Sequence, residues 1–203
     1  MDTVAISARP RLLAGSDVAN KVRRAGLLPA VMYGAGVGPN ARMVAVDPQV
    51  VRKGLSGAYG RNQMFTVEFE GKQHLAICKD VQIHPVKRTL KHVDFFVVTP
   101  ASPIRVTLSV VLSGRSAGQK AGGRLEQITR YVTVACTPTT LPKAIEIDVT
   151  PFENGTVMTV DSLPLPQGCK AVFKKSFKIF ELFAPKVEEK AAVDDKKKPA
   201  GKK

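Results

Sequence analysis

Three things are scarce in this chain: cysteine, acidic side chains and long apolar runs. Only three cysteines, Cys78, Cys136 and Cys169, occur in 203 residues, and none belongs to a CxxC pair. An odd number cannot all pair within the chain, so the pattern argues against a disulfide framework and against a zinc site built on them. They read as small buried hydrophobes in a reducing compartment. The opening residues MDTVAISARPRLL contain no long apolar stretch of the kind a signal peptide requires. No segment reaches the length of a membrane-spanning helix, so a soluble, cytoplasmic protein is expected. Catalytic motifs are equally sparse. SGRSAGQKAGGR (113–124) has glycines and a lysine but not the P-loop spacing, and Ala121 follows Lys120 where a magnesium-binding Ser or Thr would be needed. No serine sits in a nucleophile elbow, and there is no HExxH. Enzymatic activity, a cofactor and a small-molecule substrate are therefore not expected.

Basic residues, by contrast, are abundant. Against 17 Asp and Glu stand 31 Lys and Arg, giving a formal charge of +14 and a pI near 9.9. Such a balance points to nucleic acid or an anionic surface as partner. The charge is unevenly spread. Residues 1–98 hold fourteen basic against seven acidic side chains, 99–185 ten against six, and 186–203 seven against four. With 44% hydrophobic residues the chain also has the material for a substantial core.

Periodicity predicts a mainly β chain with short helices, an α+β class. Val4, Ile6 and Ala8 alternate as in a half-buried strand. Ser16 and Asp17 open a short helix to about Arg24, which Gly26 and Pro29 end. Ala30–Tyr33 and Met43–Val46 read as strands, and Asp47-Pro48 as the start of a second helix ending near Gly54 or Gly57. Phe65, Val67 and Phe69 alternate before a hairpin turn at Glu70-Gly71, and His92–Val98 supplies the last strand of this half. Two prolines in Thr99–Pro103 mark a boundary. Beyond it Ile104, Val106, Leu108, Val110 and Leu112 alternate, a glycine-rich loop follows, and strands are expected at 128–135 and 145–149. Asn154-Gly155 is a hairpin-type turn signal, and Phe173–Phe183 is expected to close the sheet. From Lys186 the composition turns to Lys, Glu, Asp and Ala, and a disordered basic tail is expected over 186–203.

The densest group of functional side chains is KDVQIHPVKRTLKHVDFF (79–96). His92 and Asp94 lie two apart, so on a strand both project from one face, and His84 can approach from the preceding loop. These three are the ligands a metal-dependent enzyme would use. The cations Lys79, Lys87, Arg88 and Lys91 would oppose a divalent ion, whereas RNA would use all of these groups. Lysine and arginine neutralise phosphates, and Gln82, His84, His92 and Asp94 can address base edges or ribose hydroxyls. A simple His92–Asp94 pair on the sheet surface is the competing structural reading. A second basic cluster, Lys21, Arg23 and Arg24, lies on the first predicted helix, with Lys21 and Arg24 on one face. Tyr33 follows it and offers a ring and a hydroxyl, although a half-buried sheet tyrosine would look the same.

KVRRAGLLPAVMYG and KDVQIHPVKRTLKHVDF, in this order and separation, resemble the two signature stretches of the family of bacterial large-subunit ribosomal protein number twenty-five. GQKAGGRLEQITRYVTVACTPTTLPKAIEIDVT is similar to the second, β-rich domain of its long form, often called general stress protein CTC. The resemblance extends to about Pro185. It implies a small N-terminal β-barrel over 1–98 that binds 5S ribosomal RNA, a β-rich domain over 99–185, and RNA contacts at Arg11, Lys21, Arg23, Tyr33, Gln82, His84, Lys87, His92 and Asp94. Arg24 and Arg88 join these on charge alone. Ser16, Asn20 and Ile83 depart from the family pattern, which usually has lysine and arginine at the first two positions and in some members arginine at the third. Neighbouring large-subunit proteins and 23S ribosomal RNA are the further partners implied, with no membrane. The competing function is a stress-related interaction module acting mainly off the ribosome.

Overall fold

A computed structural model describes residues 3–11, 13–38 and 40–184. The tail expected over 186–203 lies outside the described residues. The first half folds as β1 (Val4–Ser7), β2 (Arg9–Pro10), α1 (Ser16–Arg24), β3 (Leu28–Gly34), β4 (Arg42–Val46), α2 (Pro48–Leu55), β5 (Met64–Phe69), β6 (Lys72–Ile83) and β7 (Leu90–Val97). The second half adds β8 (Ile104–Ser113), α3 (Ala117–Lys120), β9 (Arg124–Gln127), β10 (Tyr131–Cys136), β11 (Ile145–Asp148), β12 (Val157–Thr159), β13 (Lys170–Ala171) and β14 (Lys178–Phe183).

The seven strands of the first half form one sheet in the order β1-β5-β6-β7-β3-β4-β2. Its two edge strands are consecutive in sequence, separated only by Ala8. One N-terminal segment therefore pairs with β5 on one side and β4 on the other, and the sheet closes on itself as a barrel. Closure removes the exposed edges that an open sheet would present. Alternation puts Phe65, Val67, Ala30, Met32, Val93 and Phe95 inside, all fully buried. The rings of Phe65 and Phe95 meet edge to face at 5.5 Å. Helix α2 begins as its sequence dictates: the Asp47 side chain accepts from the Gln49 N–H at 2.8 Å, with proline in the first turn. The Glu70-Gly71 hairpin has positive φ at both residues, 50° and 76°, as a tight turn matched to strand twist requires.

The second half holds two smaller sheets, ordered β11-β8-β10-β13 and β12-β14-β9. Leu108, Val134, Ile145, Ile147, Ile179, Phe180 and Leu182 pack between them. Met64, Ile77 and Val98 belong to this second core and not to the barrel's. Met64 and Ile77 project from β5 and β6 opposite to Phe65 and Ala76. One end of the barrel's outer surface is therefore buried against the second half, while the other end stays open.

The structure departs from the sequence expectations at four places in the second half. The glycine-rich loop contains structure: Ser116 caps α3 reciprocally with Gln119, and Arg124–Gln127 forms β9 against β14. The strand expected at 128–135 starts only at Tyr131, because Ile128 and Thr129 donate their N–H groups to the Ile179 carbonyl instead of entering the ladder with β8. Asn154-Gly155 is a turn but not a hairpin, since it connects β11 of one sheet to β12 of the other. Phe173–Phe183 contributes β14 only from Lys178, as the central strand of its sheet.

Candidate nucleic-acid interface

Strand register gathers the predicted residues. In β6 and β7 Gln82 opposes His92 and Asp80 opposes Asp94, while Val31 of β3 lies beside Asp94. Met43 opposes Val31, and the Arg11 N–H donates to the Met43 carbonyl at 3.0 Å. Laterally paired residues share a sheet face. Arg11, Met43, Val31, Asp94 and Asp80 therefore form one outward-facing rung across the barrel, next to a rung with His92 and Gln82. Seen this way, Arg11, more than eighty residues from Asp94 in sequence, belongs to the same surface.

His92 and Asp94 do pair: Nδ1 lies 2.9 Å from Oδ1. The pairing fixes the imidazole and leaves its other nitrogen and the second carboxylate oxygen for a partner. Asp80 faces Asp94 and accepts from the Val81 N–H at 2.9 Å. It is a further candidate that the sequence reading passed over, because only the register places it beside Asp94. The two carboxylates form an acidic spot inside a basic rim.

That rim comes from two elements. On α1 Lys21 and Arg24 are exposed, with no ion pair among the described residues. Arg23 is committed to structure: its Nε donates to the Lys91 carbonyl at 3.2 Å and its Nη1 to Asn20 Oδ1 at 2.8 Å. Asn20, one of the departures from the family pattern, thus orients a neighbouring arginine. The other element is the β6–β7 loop. His84 Nδ1 accepts from the N–H groups of Val86 and Lys87, each at 3.2 Å, as a helix cap would. The Arg88 N–H closes the turn on the His84 carbonyl at 2.9 Å, with Arg88 at φ 53°. Arg52 of α2 braces the loop, donating from Nη2 to the Arg88 carbonyl at 3.1 Å. Lys87 and Arg88 are exposed at its tip beside Val86, which is 83% exposed.

Three residues stand apart from the surface expected of them. Lys79 bulges out of β6 and donates to the Arg105 carbonyl at 3.5 Å, towards the second half. His84 turns its Nδ1 into the loop, while the Nδ1 of His92 is used by Asp94. A joint His84–His92–Asp94 ligand set is not what these bonds assemble, and no group of three or more His, Cys, Asp or Glu suited to a metal ion occurs among the described residues. Tyr33 is half-buried at the border of the face, its ring 5.6 Å from that of Phe96. Burial, followed by the charges of Asp94 and Asp80, raises its hydroxyl above the ordinary value of 10.0, so the group stays a hydrogen-bond donor. Arg11 is half-buried, and its Nε is buried without a hydrogen-bond partner among the described residues.

Two family models together span nearly the whole chain. The Ribosomal L25p family matches residues 6–95, and the C-terminal domain of ribosomal protein TL5 matches residues 103–186. A protein of Desulforudis audaxviator named large ribosomal subunit protein bL25 is 34% identical over 200 residues, covering 96% of this chain and 93% of its own length. The chain belongs to the ribosomal L25p family. A Carboxydothermus hydrogenoformans bL25 is 38% identical, covering 91% of this chain and 92% of the relative, and one from Anaeromyxobacter dehalogenans is 34% identical over 92% and 77%. In L25p terms this is the long form, with both the barrel and the second β-rich unit. The family is one of structural ribosomal proteins and not of enzymes, which agrees with the absence of catalytic motifs in the sequence. Among the described residues no helix is long and apolar enough to cross a membrane.

Proposed function

We propose that the protein is a structural constituent of the large ribosomal subunit whose barrel binds 5S ribosomal RNA and helps to stabilise the central protuberance. The observation that carries this reading is the single outward face formed by Arg11, Gln82, His92 and Asp94, with cations on α1 and the β6–β7 loop at its borders. Lys21, Arg24, Lys87 and Arg88 neutralise phosphates and release counterions. A phosphate oxygen supplies the acceptor that Arg11 Nε lacks. His92, Asp94 and Gln82 address ribose hydroxyls or base edges exposed in the shallow minor groove or at non-canonical pairs. Arg23 and His84 act indirectly, the first by seating α1 against β7 and the second by holding Lys87 and Arg88 in place.

The chain divides at 99–103 into a barrel over 1–98 and a second unit over 99–185 that packs against neighbouring ribosomal proteins or 23S ribosomal RNA. On this reading the protein is cytoplasmic and ribosome-associated. Its support is the separation of the two cores and the gap between the two family matches. Titration of the full chain with purified 5S ribosomal RNA at several salt concentrations tests the proposal. Nanomolar-range, salt-sensitive binding weakened by His92→Ala and Asp94→Ala is expected. Binding no tighter than to an unrelated RNA of equal length would overturn it.

A further inference from the structure

The barrel face leaves a second basic region unexplained: a cleft of about 740 Å³ where the barrel meets the second half. Its walls come from the turn at 57–62, the β6 bulge, and strands β8 and β10. Arg61, Lys79, Arg105 and Lys143 line it, and no Asp or Glu does. None of the four makes an ion pair among the described residues. The walls are tied together. Asn62 Nδ2 donates to the Thr107 carbonyl at 2.8 Å and Lys79 Nζ to that of Arg105, while Met64 and Ile77 anchor the contact in the second core.

Two tyrosines also line the cleft. Tyr59 packs against the second core with Lys143 Nζ 5.6 Å from its ring centre. Tyr131 is 66% exposed, so among the described residues most of its ring is left to solvent. Register carries the basic wall onward, because Arg105 opposes Ala135 and Ala135 opposes Lys170, which puts both cations on one rung of the outer sheet face.

Unpaired cations without a carboxylate select a polyanion. An acidic peptide would satisfy the charges but leave the exposed ring unused. An unpaired nucleotide uses both, with phosphates against the cations and the base against the ring. We propose that this cleft binds a single-stranded segment of RNA, with one base stacked on Tyr131 and the flanking phosphates held by Arg61 and Arg105. The site is separate from the barrel face: Cys78 and Phe96 line the cleft, whereas Gln82, His92 and Asp94 lie further along the same strands, beyond the part covered by the second half.

The test is fluorescence anisotropy of a fluorescein-labelled uridine octamer titrated with the full chain at several salt concentrations. Tyr131→Ala weakens binding about fivefold or more, the range of base–aromatic stacking. Arg105→Gln lowers the slope of log K against log salt by about 0.7, the value for one single-strand phosphate. Both side chains are exposed, and unchanged melting curves show that the variants fold. His92→Ala, which impairs 5S ribosomal RNA binding in the proposed function, leaves octamer affinity unchanged, so the two proposals fail separately. Absence of octamer binding at low salt, wild-type affinity in both variants, or a glutamate octapeptide competing equally well while Tyr131→Ala is without effect would each overturn the proposal.

Discussion

Gly34 closes β3 with φ +118°, and a methyl group there has nowhere to go. A Cβ would stand 2.4 Å from the Val97 carbonyl oxygen and 3.1 Å from both the Val97 nitrogen and Phe96 Cε2. The obstacle is backbone within the parallel β3–β7 pair, and the same oxygen already accepts from the Ala35 N–H at 3.1 Å. It cannot swing aside as a side chain would. Two costs therefore add for Gly34→Ala: about 1–3 kcal/mol of backbone strain and about 1–3 kcal/mol of overpacking, together about 2–6 kcal/mol. Gly36, two residues later, supplies the control. Its φ is +78°, but a Cβ there meets nothing within 4 Å, so Gly36→Ala costs only the strain, about 1–2 kcal/mol. Urea unfolding of the full chain, followed by far-UV circular dichroism, measures both. The midpoint falls markedly further for Gly34→Ala, and under the proposed function 5S ribosomal RNA affinity falls with it because Tyr33 and the end of β7 shift together. Equal losses for the two variants would refute the steric argument, and a smaller loss at Gly34 would reverse it.

Other consequences are smaller. Arg52→Ala changes stability by less than about 0.5 kcal/mol because the site is exposed. Amide exchange in the 84–89 loop quickens and RNA affinity drops; unchanged exchange would mean that Arg52 does not brace the loop. His84→Ala removes the acceptor of two amides and costs about 1 kcal/mol, the usual worth of a cap. His84→Asn, whose carbonyl can accept in the same place, recovers part of it in the same unfolding assay. Burial pushes the Cys78 thiol up to about 12, and burial together with Cys169 pushes the Cys136 thiol up to about 11. Iodoacetamide at about pH 8 consequently labels half-buried Cys169 first, as peptide mapping would show. The raised Tyr33 pKa favours the protonated form in the folded state. Its stabilising contribution is fully present below the unfolded pKa of about 10 and is lost as pH rises through the folded value. In an ultraviolet titration Tyr33→Phe deletes a late-ionising phenol, and loss of an early one instead would contradict the assignment.

The sequence revealed the barrel strands and both longer helices because their signals are local. Val4-Ile6-Ala8 and Phe65-Val67-Phe69 have a period of two, and Asp47-Pro48 carries its own capping chemistry. Arg124–Gln127 was illegible because four residues with one apolar side chain have no period, and only pairing with β14 makes them a strand. The hairpin reading of Asn154-Gly155 failed for a related reason: turn chemistry fixes the local bend, not the sheet that receives the next strand. At the interface, the shared face of His92 and Asp94 followed from spacing alone. Their alignment with Arg11 and Asp80 did not, since it depends on register across five strands. Nor did the inward turn of His84 Nδ1, which depends on how the loop closes.

Barrel closure by the N-terminal segment also imposes a schedule on synthesis. The first strand has no partner until β5 has been made, and β3 waits for β7, so both parallel pairings are long-range contacts of the kind that form slowly. The outward face that unites Arg11, Asp94 and His92 does not exist in a nascent chain shorter than about residue 97. An incomplete product released early from translation lacks the means to compete for RNA. Only chains extended past about residue 97 can carry the assembled surface, whether or not the second half has been made.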